Sequence, residues 1–206
     1  MNIYSTKFTR NNPEIPTFHI KGGMERFSHT FCLPETALLK TGRPFFVPDF
    51  PGEMVMELQL VVRMGRLGKN ISERFADRYC ETCTIGLLFS ASTCLQHQQQ
   101  QGLPWFTAYG FDGSVSIGKW IPFTELEQQF PRSLALKVNG QAAAWTETLL
   151  LQPSLHAFIA ALSKWNTIRQ GDLICVGGLH PSLPVHPGLH VDGEVDGFPL
   201  MSFNVK

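Results

Sequence analysis

The sequence predicts an α+β fold that is mostly β, with two or three helices packed on its strands. Three observations carry that expectation. The first is a set of apolar runs of strand length: MVMELQLVVRM (54–64), CTIGLLFSAS (83–92) and LICVGG (173–178). All three are rich in residues that suit a pleated, buried surface. The second is Asn139-Gly140 between apolar segments at 134–138 and 142–145, the strongest short hairpin signal in the chain. The third is punctuation: 18 glycines and 14 prolines in 206 residues cut the chain into short segments joined by turns.

Taken in order, residues 1–34 read as a loop-rich N-terminal segment, because Asn11-Asn12-Pro13, Pro16 and Gly22-Gly23 interrupt any periodicity. Residues 35–206 then form one domain. Phe45-Phe46-Val47 is a short apolar run stopped by Pro48-Asp49. The 54–64 run alternates around Glu57 and Gln59, which marks a strand. Leu67-Gly68-Lys69-Asn70 is turn chemistry. Ser72 stands where it can cap a helix over ERFADRYC, with Glu73 in the first turn, where the helix dipole favours an acid. The 83–92 run has the length of a core strand. Gln98–Gln101 reads as a solvated loop or helix end, and 104–122 as an irregular, glycine-punctuated loop ending in a strand. Leu155, Phe158, Ile159, Leu162 and Trp165 fall on one face of an amphipathic helix over 154–165. A strand at 173–178 precedes a proline- and histidine-rich loop at 179–190, and 190–205 supplies one or two closing strands.

Composition excludes several classes. Seventeen basic residues balance 17 acidic ones, for a formal net charge of +0, so neither a nucleic-acid partner nor an anionic membrane surface is drawn by a bulk field. No stretch reaches the ~18 apolar residues that a membrane helix needs. MNIYSTKFTRNNPEIP carries no apolar core of a secretory signal, and the 5 cysteines are an odd number suited to reduced, buried thiols. A cytoplasmic protein is the expectation.

Several constellations bear on chemistry. Glu57 and Gln59, two apart on a strand, emerge on one face, as a strand presents oxygen ligands to Mg²⁺; a pair of polar residues on a solvated face is the plainer reading. Cys80 and Cys83 form a CxxC near a helix end, and with no second CxxC they read as structural thiols. His180, His186 and His190, with Asp192 and Glu194, stand at irregular loop spacing, where exposed histidines are the plainer reading than a zinc, copper or nickel site. Trp105, Phe106, Tyr109 and Phe111 form an aromatic cluster that reads first as core. There is no GxSxG, P-loop or GxGxxG.

One ordered set of motifs resembles the fumarylacetoacetate hydrolase family. It comprises ALLKTGRPFFVPD (37–49), MELQLVVRMGRLGKNISERFADRY (56–79), TIGLLFSAS (84–92), PWFTAYGFDGSVSIGKWIP (104–122), LKVNGQ (136–141) and IRQGDLICVGG (168–178). The resemblance implies a mixed β-roll, usually a homodimer, that holds Mg²⁺ or Mn²⁺ against a 2-oxo or dicarbonyl acid. Such enzymes hydrolyse, decarboxylate or tautomerise the acid through an enolate held on the metal.

The same resemblance shows where this chain departs. Of the family's Glu-x-Glu pair, Glu57 remains and the second position is Gln59. The third metal carboxylate falls at Leu88, and an Arg-Asp pair at Ser92 and Thr93. The lysine before Gly-Phe-Asp falls at Tyr109, ahead of Gly110-Phe111-Asp112. The Thr-Gly-Thr-Pro substrate loop reads Val176-Gly177-Gly178-Leu179, and the N-terminal Asn-Tyr with its histidine has no counterpart in STKFTRNN. By family position the pocket holds Tyr109, Phe111, Ser92, Gly178 and His180, and a residual metal site holds Glu57 and Gln59. The expectation is a degenerate member without the parent activity and without a resident cofactor. It would be a pseudoenzyme that binds a small carboxylic acid or regulates a partner, as a homodimer or paired with a paralogue, without nucleic acid or membrane. The alternative is a residual or re-purposed hydrolase or isomerase that binds Mg²⁺ or Mn²⁺ and uses Glu57 and the 180–190 histidine loop.

Overall fold

A computed structural model of the chain describes residues 1–7, 29–128, 133–147, 152–177 and 181–206. The N-terminal part gives β1 (Ile3–Lys7), β2 (His29–Leu33) and β3 (Leu38–Leu39), with a 3₁₀ turn at Glu35–Ala37. The centre gives β4 (Met54–Met64), a 3₁₀ helix at Glu73–Tyr79, β5 (Cys80–Ala91), α1 (Ser92–Gln100), α2 (Phe106–Tyr109), β6 (Val115–Ile117), β7 (Ile121–Pro122) and α3 (Phe123–Gln128). The remainder gives β8 (Ser133–Val138), β9 (Gln141–Glu147), α4 (Gln152–Trp165), β10 (Leu173–Gly177), β11 (Leu183–Val185), β12 (His190–Val195) and β13 (Phe198–Asn204).

Among the described residues the strands form two sheets. The larger runs β2-β1-β10-β4-β5-β6-β3, with β11 added to β4 and β7 to β5; the smaller runs β13-β12-β8-β9. The large sheet is mixed, since β1 pairs β10 and β3 pairs β6 in parallel while its other pairings are antiparallel. This is the mostly-β α+β architecture expected. The alternation in β4 sends Met56, Leu58, Leu60 and Val62 into a core between the two sheets, which also takes Leu155, Phe158, Ile159 and Leu162 of α4. Glu57, Gln59 and Val61 point to the other face. There Leu88 of β5, Val115 of β6, Cys175 of β10, Ile3 of β1 and Leu33 of β2 meet Ala108 and Tyr109 of α2.

The hairpin at Asn139-Gly140 is present, with φ of 51° and 77° at the two turn residues, as a type I′ turn requires. Other expectations need correction. Ile3–Lys7 and His29–Leu33 are strands, although the N-terminal segment reads as loop-rich; their neighbours in the sheet, and no local periodicity, hold them extended. Residues 8–28 lie outside the described residues. The helix after Ser72 is 3₁₀, and the Ser72 hydroxyl caps nothing; the backbone carbonyl of Ser72 takes the Phe75 N–H at 2.9 Å instead. Cys80 closes the 3₁₀ helix, as the helix-end reading expects, and with Cys83 opens β5; both pack toward the core between the sheets. Ser92, read as the end of a strand, opens a helix over 92–100, and Gln98–Gln101 form its C-terminal end, as the helix-end alternative expects.

Candidate functional site

The residues expected to carry chemistry start on β4. Strand alternation puts Glu57 and Gln59 on one face, which they share with the cluster of Leu88, Ala108 and Tyr109, so the solvated-face reading fails: Glu57 is 4% exposed and Gln59 1%. Register decides what they meet. Glu57 pairs with Leu88, and Gln59 with Gly86 on one side and Gly177 on the other. Gln59 Nε2 donates to Ser5 Oγ at 3.2 Å, and Ser5 is itself fully buried. Among the described residues, Gln59 Oε1 is buried without a hydrogen-bond partner. Gly177 is close-packed against this pair: a methyl group there would stand 2.8 Å from Gln59 Cγ and 3.1 Å from Glu57 Oε1.

This donor set does not fit a hard divalent cation. Mg²⁺ demands oxygen ligands in near-octahedral geometry and gives up its water reluctantly, so carboxylates must offset the cost. Here one carboxylate stands beside an amide turned toward Ser5, and the cross-strand neighbour is the isobutyl group of Leu88, 1% exposed in an apolar cluster.

The pocket residues disperse. Tyr109 lies on this face, its ring stacked on Phe31 with centroids 4.4 Å apart. Phe111 packs instead against the core between the sheets, 5.3 Å from Phe50, so the aromatic cluster splits between two cores. Ser92 opens α1, where its hydroxyl donates to the Glu53 carbonyl at 2.9 Å. Gly178 and His180 lie outside the described residues.

The remaining histidines do not converge. His186 lines a separate surface cavity between the 47–54 segment and β11, with Nδ1 3.1 Å from the Pro187 carbonyl. His190 stands on the smaller sheet, between Asn204 Oδ1 at 2.8 Å and Asp192 Oδ1 at 3.2 Å, and the Asn204 contact, with Asp192 behind it, raises its pKa. Glu194 pairs with Lys137 at 2.6 Å. Among the described residues no group of three His, Cys, Asp or Glu could hold a metal ion.

One more feature lies beside Tyr109. A cavity of about 330 Å³ lies between the edge strand β2 and the 103–109 segment. Its signal in the sequence is the aromatic run around Trp105, but the partner, Phe31, is more than seventy residues away.

Comparison with known proteins accords with the architecture. The family model for the fumarylacetoacetate hydrolase C-terminal domain matches residues 12–206. The mitochondrial oxaloacetate tautomerase of Mus musculus is 28% identical over 176 residues, 85% of this chain and 80% of that protein. The oxaloacetate tautomerase YcgM of Escherichia coli is 26% identical over 82% of this chain and 78% of its own length. Among solved structures, a fumarylacetoacetate hydrolase family protein of Yersinia pestis superposes with a TM-score of 0.84 at 22% identity, covering 100% of this chain and 92% of that one. The fumarylpyruvate hydrolase of Pseudomonas aeruginosa, in complex with Mn²⁺ and pyruvate, gives 0.83 at 22% identity, covering 100% and 89%. With the model matching nearly its whole length, the chain belongs to the fumarylacetoacetate hydrolase family.

Proposed function

We propose that this chain is a degenerate member of its family: a binding module that keeps the fold but has given up the metal-dependent chemistry on 2-oxo acids. The observation that carries this reading is the pairing of Glu57 with Leu88 beside a Gln59 whose amide is spent on Ser5. An enolate needs a fixed positive charge where its own charge develops, and losing one such group typically costs about 10²–10³ in rate. The position that the resemblance gives to the lysine holds Tyr109, and a phenol supplies no such charge. The role left to the protein is to hold a small ligand, a carboxylic acid in the first instance. It would do so in the cytoplasm as a homodimer or beside an active paralogue.

One observation favours a second reading. Relatives aligned over more than four fifths of the chain are named as oxaloacetate tautomerases, so a residual hydrolase or isomerase centred on Glu57, with Mg²⁺ or Mn²⁺ and a histidine of the 180–190 loop, is the alternative. Calorimetric titration with Mg²⁺, Mn²⁺ and Zn²⁺, alongside Glu57→Ala, separates the two. The first reading expects no saturable Mg²⁺ or Mn²⁺ binding and no tautomerisation of oxaloacetate. Binding and turnover that both vanish in Glu57→Ala would establish the alternative.

A further inference from the structure

On the smaller sheet, three polar side chains gather around one imidazole. Val191 and Phe203 turn into the core, so the alternate residues His190 and Asp192 of β12 share the opposite face. Register sets Asn204 and Ser202 of β13 directly across from them. His190 Nδ1 lies 2.8 Å from Asn204 Oδ1, and its Nε2 lies 3.2 Å from Asp192 Oδ1 and 3.3 Å from Ser202 Oγ. The side chains of His190 and Asp192 are 45% and 30% exposed, so solvent reaches the group.

Hydrogen-bonding chemistry fixes the state of the ring. An amide oxygen can only accept, so Asn204 takes the Nδ1 proton. The neutral imidazole then turns the lone pair of Nε2 toward Asp192 and Ser202. A lone pair that faces a carboxylate oxygen is repelled unless positive charge stands between the two. A second ring proton supplies that charge, and a metal ion can take its place. Tying the far N–H of a histidine to an oxygen is also how metal sites set the tautomer and orientation of a ligand ring.

The spacing suits a metal. Zn²⁺ stands about 2.0–2.1 Å from an imidazole nitrogen and about 2.0–2.2 Å from a carboxylate oxygen. Donors 3.2 Å apart therefore subtend about 100° at the ion, near the tetrahedral angle. Ser202 Oγ, at nearly the same spacing from Nε2, offers a third donor, and water can complete the set. Lys137, the neighbour of Asp192 on β8, is paired with Glu194 at 2.6 Å, which offsets its charge. Imidazole beside oxygen donors favours zinc, copper or nickel over Mg²⁺, which prefers oxygen alone.

We infer that His190 and Asp192, with Ser202, form a surface binding site for a divalent transition-metal ion of the zinc class. The site lies on the other sheet from Glu57 and depends on neither reading of that face.

Calorimetric titration with Zn²⁺, on protein whose exposed thiols have been alkylated, tests it. The expected result is a saturable Zn²⁺ site that His190→Gln and Asp192→Asn each weaken by tenfold or more. His97→Gln, which removes an exposed imidazole on α1, should leave it unchanged. Circular dichroism checks that each variant is folded, and if one of the two site variants is not, the other carries the test. The proposal would be overturned by the absence of saturable Zn²⁺ binding, or by binding that survives His190→Gln or Asp192→Asn in a folded protein. Zn²⁺ binding that Glu57→Ala abolishes would also overturn it, since the ion would then belong to the Glu57 face.

Discussion

At the scale of single residues, β4 shows how one atom type changes what a strand can do. A Gln59 amide can donate to Ser5 Oγ where a carboxylate could not, and that bond fixes the side chain against β1. Ser5→Ala should therefore cost about 1–2 kcal/mol, measured by urea denaturation, because the buried Nε2–H loses its acceptor. Rebuilding the ligand set tests the same logic in reverse. The double variant Gln59→Glu, Leu88→Asp should bind Mn²⁺ saturably by calorimetry, and its melting temperature should rise with added Mn²⁺ far more than that of the parent. Without metal it should be less stable, since a buried, unpaired carboxylate is costly. Thiol reactivity follows burial in the same way. Burial pushes the Cys175 thiol up to about 12, so alkylation of the native protein at pH 8 should spare Cys175 and modify the exposed Cys32 first.

At the scale of elements, attachment points matter more than propensity. Asp172 is fully buried just before β10, and its carboxylate accepts from the backbone N–H groups of Asn2 and Arg169, each at 2.8 Å. It thereby ties the start of β1 to the turn that feeds β10. Asp172→Ala should cost on the order of 3 kcal/mol and loosen the exchange protection of β1 before that of β4.

On α4, burial lowers the pKa of His156, while Asp77 and Glu73 of the facing 3₁₀ helix act against it. A histidine whose folded pKa lies below its unfolded value of 6.5 binds its proton more readily in the unfolded chain. Its contribution is intact above pH 6.5 and is lost as pH falls through the folded pKa. His190 has the opposite sign, but its exposure makes its effect small. Stability should therefore fall between pH 7 and pH 5, and His156→Gln should flatten that fall.

At the scale of the whole molecule, the C-terminal strand closes the structure. Val205 bridges to Phe45, the Lys206 N–H donates to the Phe45 carbonyl at 2.8 Å, and Phe203 and Val205 are buried in the core between the sheets. Phe45 in turn stacks on Phe89 with ring centroids 3.8 Å apart, which connects the C-terminal strand to the far end of β5. Removing residues 198–206 should abolish the cooperative thermal transition, because β12 would lose one of its two partners and the core one of its walls. Family membership rests at this scale as well. Architecture and chain order match the relatives over nearly the full length, while the β4–β5 register pairs Glu57 with a leucine.

Local pattern was enough for much of this protein. Alternation in 54–64, the β-rich run at 83–92, the Asn139-Gly140 turn and the apolar stripe of 154–165 each express their structure within a few residues, because period and turn chemistry are short-range properties. The order of motifs was enough for the family, and the replaced positions at Gln59, Leu88 and Tyr109 were visible as letters. What only the tertiary structure decided is who meets whom. That Glu57 and Gln59 are buried and not solvated depends on what shares their face, Ser5 of β1 and the cluster of Leu88, Ala108 and Tyr109. Phe111 parts from Tyr109 because the two sit on opposite faces of one sheet. The aromatic cavity exists because β2, whose sequence shows no strand signal of its own, is held beside residues 103–109. Burial and long-range pairing depend on neighbours distant in the chain, and no local spacing encodes them.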